Sequence, residues 1–466
     1  MARGAVFDEK AWLALRRDVL SEIKPTRELH EQVRAIADML VGKLNDATPK
    51  DVEVMLTGSF AKDTYINTDV DFDIFLLFPE SYSLDEMQSI AFGAGKLLLD
   101  KWEVAYAQHP YLRGHYKGHR VDVVPSYKIG NTERAVSGKI KSAVDRTQLH
   151  TRYVLERITE DQKDDVRILK KFLKRLGVYG AEIKTGGFSG YLCELLILKY
   201  GSFYKLVEAA RHWAFPVAID MAGGRSERLL RTLFKGDSFI VTDPVDPKRN
   251  VAAPVSPDSL ATFVAASHIL FMRPGTHMFF AKLPLMQVRD IKREIEKRGT
   301  HFLLFEFKKP DKAPDILWGE LRKTLVAIEK VFDREEFNCT HQTAEVSDDK
   351  CYLLFELVHT RLPAAKMQEG PYVRMGEHLE RFIREEMGNF DIFVKDERMC
   401  AVRPRKFTDA LTLAHTLQKD PGHYGVSKGL ENEIRSAKVF LGEDAVSESS
   451  REVFSKHLNR RFFLGL

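Results

Sequence analysis

The sequence predicts a multidomain α+β protein. Three observations carry that expectation. Short β-branched runs follow a helical N-terminal region, the pattern switches to long amphipathic helices near Glu156, and helices alternate with strands beyond about residue 285. The 466 residues exceed one ordinary domain. A hydrophobic content of 44% with 30% charged residues excludes a disordered chain, a collagen-like repeat and a disulfide mini-scaffold.

Apolar positions Ile23, Val33, Ile36, Met39 and Leu40 recur at helical spacing between Phe7 and Leu44, and Lys24-Pro25 divides that region into two helices. Val52 to Thr57 and Val70 to Phe78 read as strands separated by a Gly58-Ser59 turn and a short helix. Val166, Leu169, Phe172, Leu173 and Leu176 form the apolar face of a helix that Gly177 ends. Gly190 to Tyr200 is apolar on most sides, so a buried helix is expected there, and residues 240–258 read as an ordered loop. Strands are expected at His301–Phe307 and Cys351–Val358, with a helical insertion near Glu377–Glu386. Phe302, Phe305 and Phe307 are expected in the core, because most phenylalanines are buried. The expected boundaries are 1–155, 156–284 and 285–466.

The net charge is +4, too small to establish a nucleic-acid partner without the placement of the basic residues. Cys193, Cys339, Cys351 and Cys400 are far apart, as expected of reduced thiols in a cytoplasmic protein. Arg3, Asp8, Glu9 and Lys10 stand where a signal peptide needs an apolar core. Apolar runs such as Phe75–Phe78 are too short to cross a bilayer, and no membrane partner is expected.

The chemistry concentrates at Asp69, Asp71 and Asp73, which share one strand face while Val70, Phe72 and Ile74 share the other. Carboxylates so spaced repel unless a cation lies among them, and an all-oxygen donor set suits Mg²⁺. The competing interpretation is a solvated edge strand, for which repeated Asp is unfavourable. The Gly58-Ser59 turn offers backbone N–H groups and a hydroxyl to a phosphate. Asp122 lies alone in the apolar strand Arg120–Pro125, where a carboxylate must bind metal or be paired, the alternative being a salt bridge to Arg120 or to a neighbouring strand. Arg167, Lys170, Lys171, Lys174 and Arg175 recur at helical spacing and are expected to form a phosphate-binding wall, against the alternative of a solvated basic face. His109-Pro110-Tyr111 is a candidate to approach the active site, against the favoured reading of His109 as an ordinary loop histidine. Lys308, Lys309, Arg403, Arg405 and Lys406 are RNA-backbone candidates or solubilising charges.

The stretch GSFAKDTYINTDVDFDIFLL with the later VDVVPSY resembles the signature of the nucleotidyltransferase superfamily. KSAVDRTQLH, GVYGAE, GFSGYLCELL, DPVDPKRNVAA and CYLLFE narrow the resemblance to the archaeal class of CCA-adding enzymes, from near the N-terminus to about Arg405. That resemblance implies a nucleotidyltransferase head with a mixed sheet, a helical neck, and a body and tail that grip tRNA. It implies that Asp71, Asp73 and Asp122 are catalytic and hold two Mg²⁺ ions. Ser59, Lys62, His150, Lys170 and Tyr179 match nucleotide-binding positions, and Arg249 matches a base-reading arginine. Lys62 replaces the arginine frequent among relatives, and the Asp71/Asp73 pair replaces a Glu/Asp pair found in some. The implied partners are the tRNA 3′ end, CTP and ATP, with a homodimer through the C-terminal modules expected from the family alone. The alternatives are a poly(A) polymerase or other terminal transferase with the same carboxylates, or a catalytically inactive RNA-binding relative.

Overall fold

A computed structural model describes residues 8–106, 109–129 and 143–466. Arg3, Phe7, Lys141 and Ser142, named above, lie outside these residues. The described residues form two units. The first runs to Lys282 and takes in Arg461–Leu466, and the second is Leu283–Arg460. Among the described residues no helix is long and apolar enough to cross a membrane, and all four cysteines are free.

In the first unit, five strands form a mixed sheet: β1 (Glu53–Thr57), β2 (Asp71–Phe78), β3 (Asp100–Tyr106), β4 (Pro110–Tyr116) and β5 (His119–Tyr127), in the order β1-β2-β5-β4-β3. Only the β2–β5 pair is parallel. Strand alternation divides β2 as expected. Phe72, Ile74, Leu76 and Phe78 pack with Val121 and Val123 in the core also lined by helices Arg27–Ala47 and Leu84–Leu98. Asp71, Asp73, Phe75 and Leu77 therefore occupy the opposite face. Asp69 differs from the expectation: it precedes the strand, and Lys174 pairs with it.

A second core lies in the same unit. Helix Glu160–Leu176 starts with a capping box between Thr159 and Gln162 and ends at Gly177, whose φ of 73° is the left-handed conformation that closes a helix. Its apolar face packs against Phe203, Phe263 and Phe279 and against the buried helix Gly190–Tyr200. Helix Glu9–Ile23, expected with the sheet, instead buries Trp12, Leu15, Val19 and Ile23 in this helical core, where Trp12 stacks on Phe203 at 5.1 Å. Residues 242–256 are an ordered loop, organised by buried Asn250: Oδ1 accepts from the Val241 and Ala252 amides and Nδ2 donates to the Phe239 carbonyl. At the end of the chain, Arg175 donates to the Phe462 carbonyl (2.7 Å) and covers the Phe462 ring at 3.5 Å.

The second unit holds an antiparallel sheet, with strands Lys438–Leu441, His301–Lys308, Lys350–Leu357 and Cys339–Val346 in that order. Phe305 and Phe307 face helix Pro314–Arg334, and Phe302 faces the helices on the other side. The helix near 377 is Gly376–Glu386, which packs on a separate three-stranded sheet.

Candidate active site

The parallel register sets Asp73 directly beside Asp122 and Asp71 beside Arg120. Asp122 is buried and clasped by Arg113, whose Nε and Nη2 each donate at 2.9 Å, while Nη2 also donates to Tyr111 Oη. Asp71 pairs with Arg120. Among the described residues Asp73 has no ion-pair partner, although the charges of Arg120 and Lys62 act on it. Burial first, then the charges of Asp122 and Asp71, push its carboxyl up to about 6. The same cause raises Asp71, opposed by Arg120. Gly58 stands against Asp73 at φ 68°, and a Cβ there would overlap Asp73 Oδ2. Only glycine meets both requirements. Thr57 Oγ1 donates to the Asp73 carbonyl at 3.1 Å.

Thr57, Gly58, Asp73, Tyr111 and Asp122 border a cavity of about 340 Å³. Gly58, Asp73 and Asp122 line its acidic side, Phe75 and Val124 an apolar side, and Thr147 belongs to helix Arg146–Leu155. His109 also lines it, contrary to the reading of an ordinary loop histidine. It is buried, with Nε2 2.7 Å from the Pro125 carbonyl.

Beside this cavity, Ser59 is half-buried, with its backbone carbonyl accepting from the Thr64 amide. Lys62 is buried and its Nζ lies 2.5 Å from Oε2 of Glu194. Thr64 Oγ1 donates to Glu194 Oε1 at 2.9 Å, and Lys170 Nζ donates to the Thr64 carbonyl at 3.0 Å. Burial lowers Lys170 to about 8, with Glu194 opposing. Tyr179 is half-buried, 5.1 Å from Lys174 Nζ, and burial raises its phenol well above its ordinary value.

The expected phosphate wall is corrected by this arrangement. Arg167 is buried against Asp63, Asp164 and the Tyr65 carbonyl, and Lys174 pairs with Asp69. Lys171 and Arg175 turn instead to Phe280 and Phe462. Counter-charge and packing are already supplied by the protein, so the five residues do not form one free basic face. Arg403 and Arg405 are likewise paired, with Glu386 and Glu336.

His150 and Arg249, a hundred residues apart in sequence, meet at fully buried Asp243. Sequence reasoning missed Asp243, Glu194 and Arg113. A lone carboxylate in the apolar run Gly190–Tyr200 was the available signal for Glu194. Arg113 and Asp243 carried no local signal.

No three carboxylate, imidazole or thiol groups among the described residues are gathered closely enough to hold an ion as they stand. Asp71 is turned to Arg120 and Asp122 to Arg113. The donor chemistry nevertheless fits a hard divalent cation, because three carboxylates share one face of the β2–β5 pair and the carboxyl of Asp73 is raised by burial and by Asp122 and Asp71 despite Arg120 and Lys62.

The descriptions matched along the chain are "Nucleotidyltransferase domain" over residues 38–150, "tRNA nucleotidyltransferase, second domain" over 164–280 and "CCA-adding enzyme, C-terminal domain" over 298–442. A protein of Archaeoglobus fulgidus named CCA-adding enzyme is 38% identical over 410 residues, 86% of this chain and 88% of the relative. One of Methanocaldococcus jannaschii with the same name is 36% identical over 412 residues, 85% and 88% of the two chains. A third, of Pyrococcus abyssi, is 30% identical over 459 residues, 94% and 98% of the two chains.

Proposed function

The chain belongs to the CCA-adding enzymes, tRNA nucleotidyltransferases, and from that premise we propose how its residues complete the 3′ end of tRNA with CTP and ATP. The observation that carries the reading is the neighbouring register of Asp73 and Asp122, with Asp71 two residues away. Residues 1–155 act as the head, 156–284 as the neck and 285–466 as the tRNA-gripping body and tail, except that helix Glu9–Ile23 packs in the core of helix Glu160–Leu176 and Arg461–Leu466 belong to the first unit.

Enzymes of this kind use divalent metal. Asp71, Asp73 and Asp122 would hold two Mg²⁺ ions after exchange of the Arg113 and Arg120 contacts. Bound there, the ions supply charge neutralisation at the triphosphate and acidify the RNA hydroxyl. The 3′-hydroxyl oxygen of tRNA attacks the α-phosphorus, the bond to the β-phosphate oxygen breaks, and pyrophosphate leaves. Asp122, once released by Arg113, takes the hydroxyl proton. Ser59, Lys62 and Lys170 bind the phosphates, while Tyr179, His150 and Arg249 contact the nucleotide. Preorganised cations and donors of this kind supply much of the catalysis of phosphoryl transfer.

A homodimer through the C-terminal modules and a cytoplasmic location complete the proposal, and sedimentation of the purified protein tests the first. The mechanism is tested by incubating tRNA that lacks its last three nucleotides with Mg²⁺ and all four nucleoside triphosphates, then sequencing the product. Addition of C, C and A, lost in Asp122→Ala, supports it. Homopolymer tails would favour the poly(A) polymerase alternative, and no extension the inactive relative.

A further inference from the structure

Asp243 follows the strand Phe239–Val241 and is fully buried, yet four donors converge on it. His150 Nε2 lies 2.8 Å and Arg249 Nη1 3.1 Å from Oδ2, while Tyr191 Oη at 3.2 Å and the Val245 amide at 3.1 Å reach Oδ1. Burial pushes the Asp243 carboxyl up, but the hydrogen bonds from His150 and the Val245 amide and the charge of Arg249 oppose it, and the carboxyl lies below the ordinary range. An ionised carboxylate only accepts, so His150 must present Nε2–H. Burial lowers the His150 imidazole against the pull of Asp243, which favours the neutral ring. In that tautomer Nδ1 is an acceptor, and among the described residues it has no hydrogen-bond partner. The ring is stacked on Tyr191 at 4.0 Å with 12% of the side chain exposed. Arg249 keeps 41% of its side chain exposed and retains donors beyond Nη1.

One carboxylate thus holds an acceptor and a set of donors together. His150 also lies one helical turn beyond Thr147, which lines the cavity shared with Asp73 and Asp122. Cytosine presents its 4-amino donor beside the N3 acceptor, and adenine its 6-amino donor beside the N1 acceptor. Uracil and guanine present the reverse, a carbonyl oxygen beside an N–H. We propose that Asp243 is a positioning residue that fixes His150 as the Nε2–H tautomer and aims Arg249, so that the pair reads the amino-bearing edge shared by cytosine and adenine. This rests on the CCA-adding reading of the same site and adds to it the basis of base choice.

The test compares CTP with the triphosphate of pyrimidin-2-one riboside, which is cytidine without its 4-amino group, on tRNA lacking its last three nucleotides. The wild type should use the analogue with kcat/KM reduced about tenfold or more, the cost of leaving a recognition group unpaired. His150→Phe keeps a ring on Tyr191 but removes the acceptor, so CTP and the analogue should then differ by less than about twofold. Asp243→Asn should lower the preference for CTP over UTP about tenfold, while the KM for pyrophosphate in the reverse reaction stays unchanged. Thermal melting checks that each variant is folded, and if Asp243→Asn is not, the wild-type and His150→Phe comparison decides. An amino-group penalty that persists in His150→Phe, or that is absent from the wild type, overturns the inference while leaving CCA addition intact. A wild type that adds no CTP at all overturns the underlying reading, and this one with it.

Discussion

Lys62 and Glu194 form a buried ion pair that ties the turn after β1 to helix Gly190–Tyr200, with Nζ 2.5 Å from Oε2. Glu194 also accepts from Thr64, whose carbonyl and hydroxyl take Lys170. Two buried lysines therefore depend on one carboxylate. Removing one member of a buried pair leaves the other charge uncompensated, at a cost of about 3–5 kcal/mol. Glu194→Gln should lose stability of that size in urea unfolding. Adding Lys62→Met to it should recover part of the loss, because the two substitutions share one interaction. Independent, additive losses would show that the pair is not coupled.

Asp73 gives stability a pH dependence of unusual sign. Its folded pKa of about 6 lies above the ordinary 3.8, raised by burial and then by Asp122 and Asp71. The native state therefore binds the proton more tightly than the unfolded state. The associated stability is complete below pH 4 and is lost as pH rises through 6, up to about 3 kcal/mol for this group. Asp73→Asn should flatten that portion of the metal-free stability profile, raise stability at pH 7 and abolish nucleotide addition. A profile unchanged by the substitution would refute the assignment of this slope to Asp73.

Arg167 belongs to the fold rather than to an RNA surface, since Asp63, Asp164 and the Tyr65 carbonyl surround its guanidinium. Arg167→Ala should cost about 3–5 kcal/mol by stranding carboxylates. The slope of log affinity for tRNA against log salt should stay the same, since no phosphate contact is removed. A slope smaller by about one would instead place Arg167 on phosphate.

Gly58→Ala combines a left-handed backbone with a collision against Asp73 Oδ2. The backbone conformation alone costs about 1–2 kcal/mol, and the displaced carboxylate should reduce turnover more than stability. Calorimetry and single-turnover extension measure the two effects. Full activity with normal melting would contradict the close packing seen here.

The strands and helices around the site were legible because their patterns are local. Alternation in Asp71–Phe78 separates carboxylates from core, and Gly177 closes a helix by its own conformation. A lone carboxylate in an apolar run singles out Asp122 as paired or metal-bound, but which cation clasps it, Arg113, depends on the β4–β5 pairing, which no local pattern specifies. The basic spacing on helix Glu160–Leu176 was read correctly as a cluster and wrongly as a free surface. Asp164 on the same helix neutralises part of it, but Asp63 and Asp69, the other carboxylates, come from a loop a hundred residues earlier. For His109 the structure favours the alternative of approach to the site over the ordinary loop histidine, for the same reason, since what it touches is set by β5.

The resting place of Phe462 under Arg175 has a practical corollary for anyone dissecting the molecule. A cut after Lys282 would not deliver a self-sufficient N-terminal half, because that half borrows its closing hexapeptide, Arg461–Leu466, from the far side of an intervening 178-residue excursion, Leu283–Arg460. A fragment engineered to stand alone would need those six residues grafted back or supplied in trans.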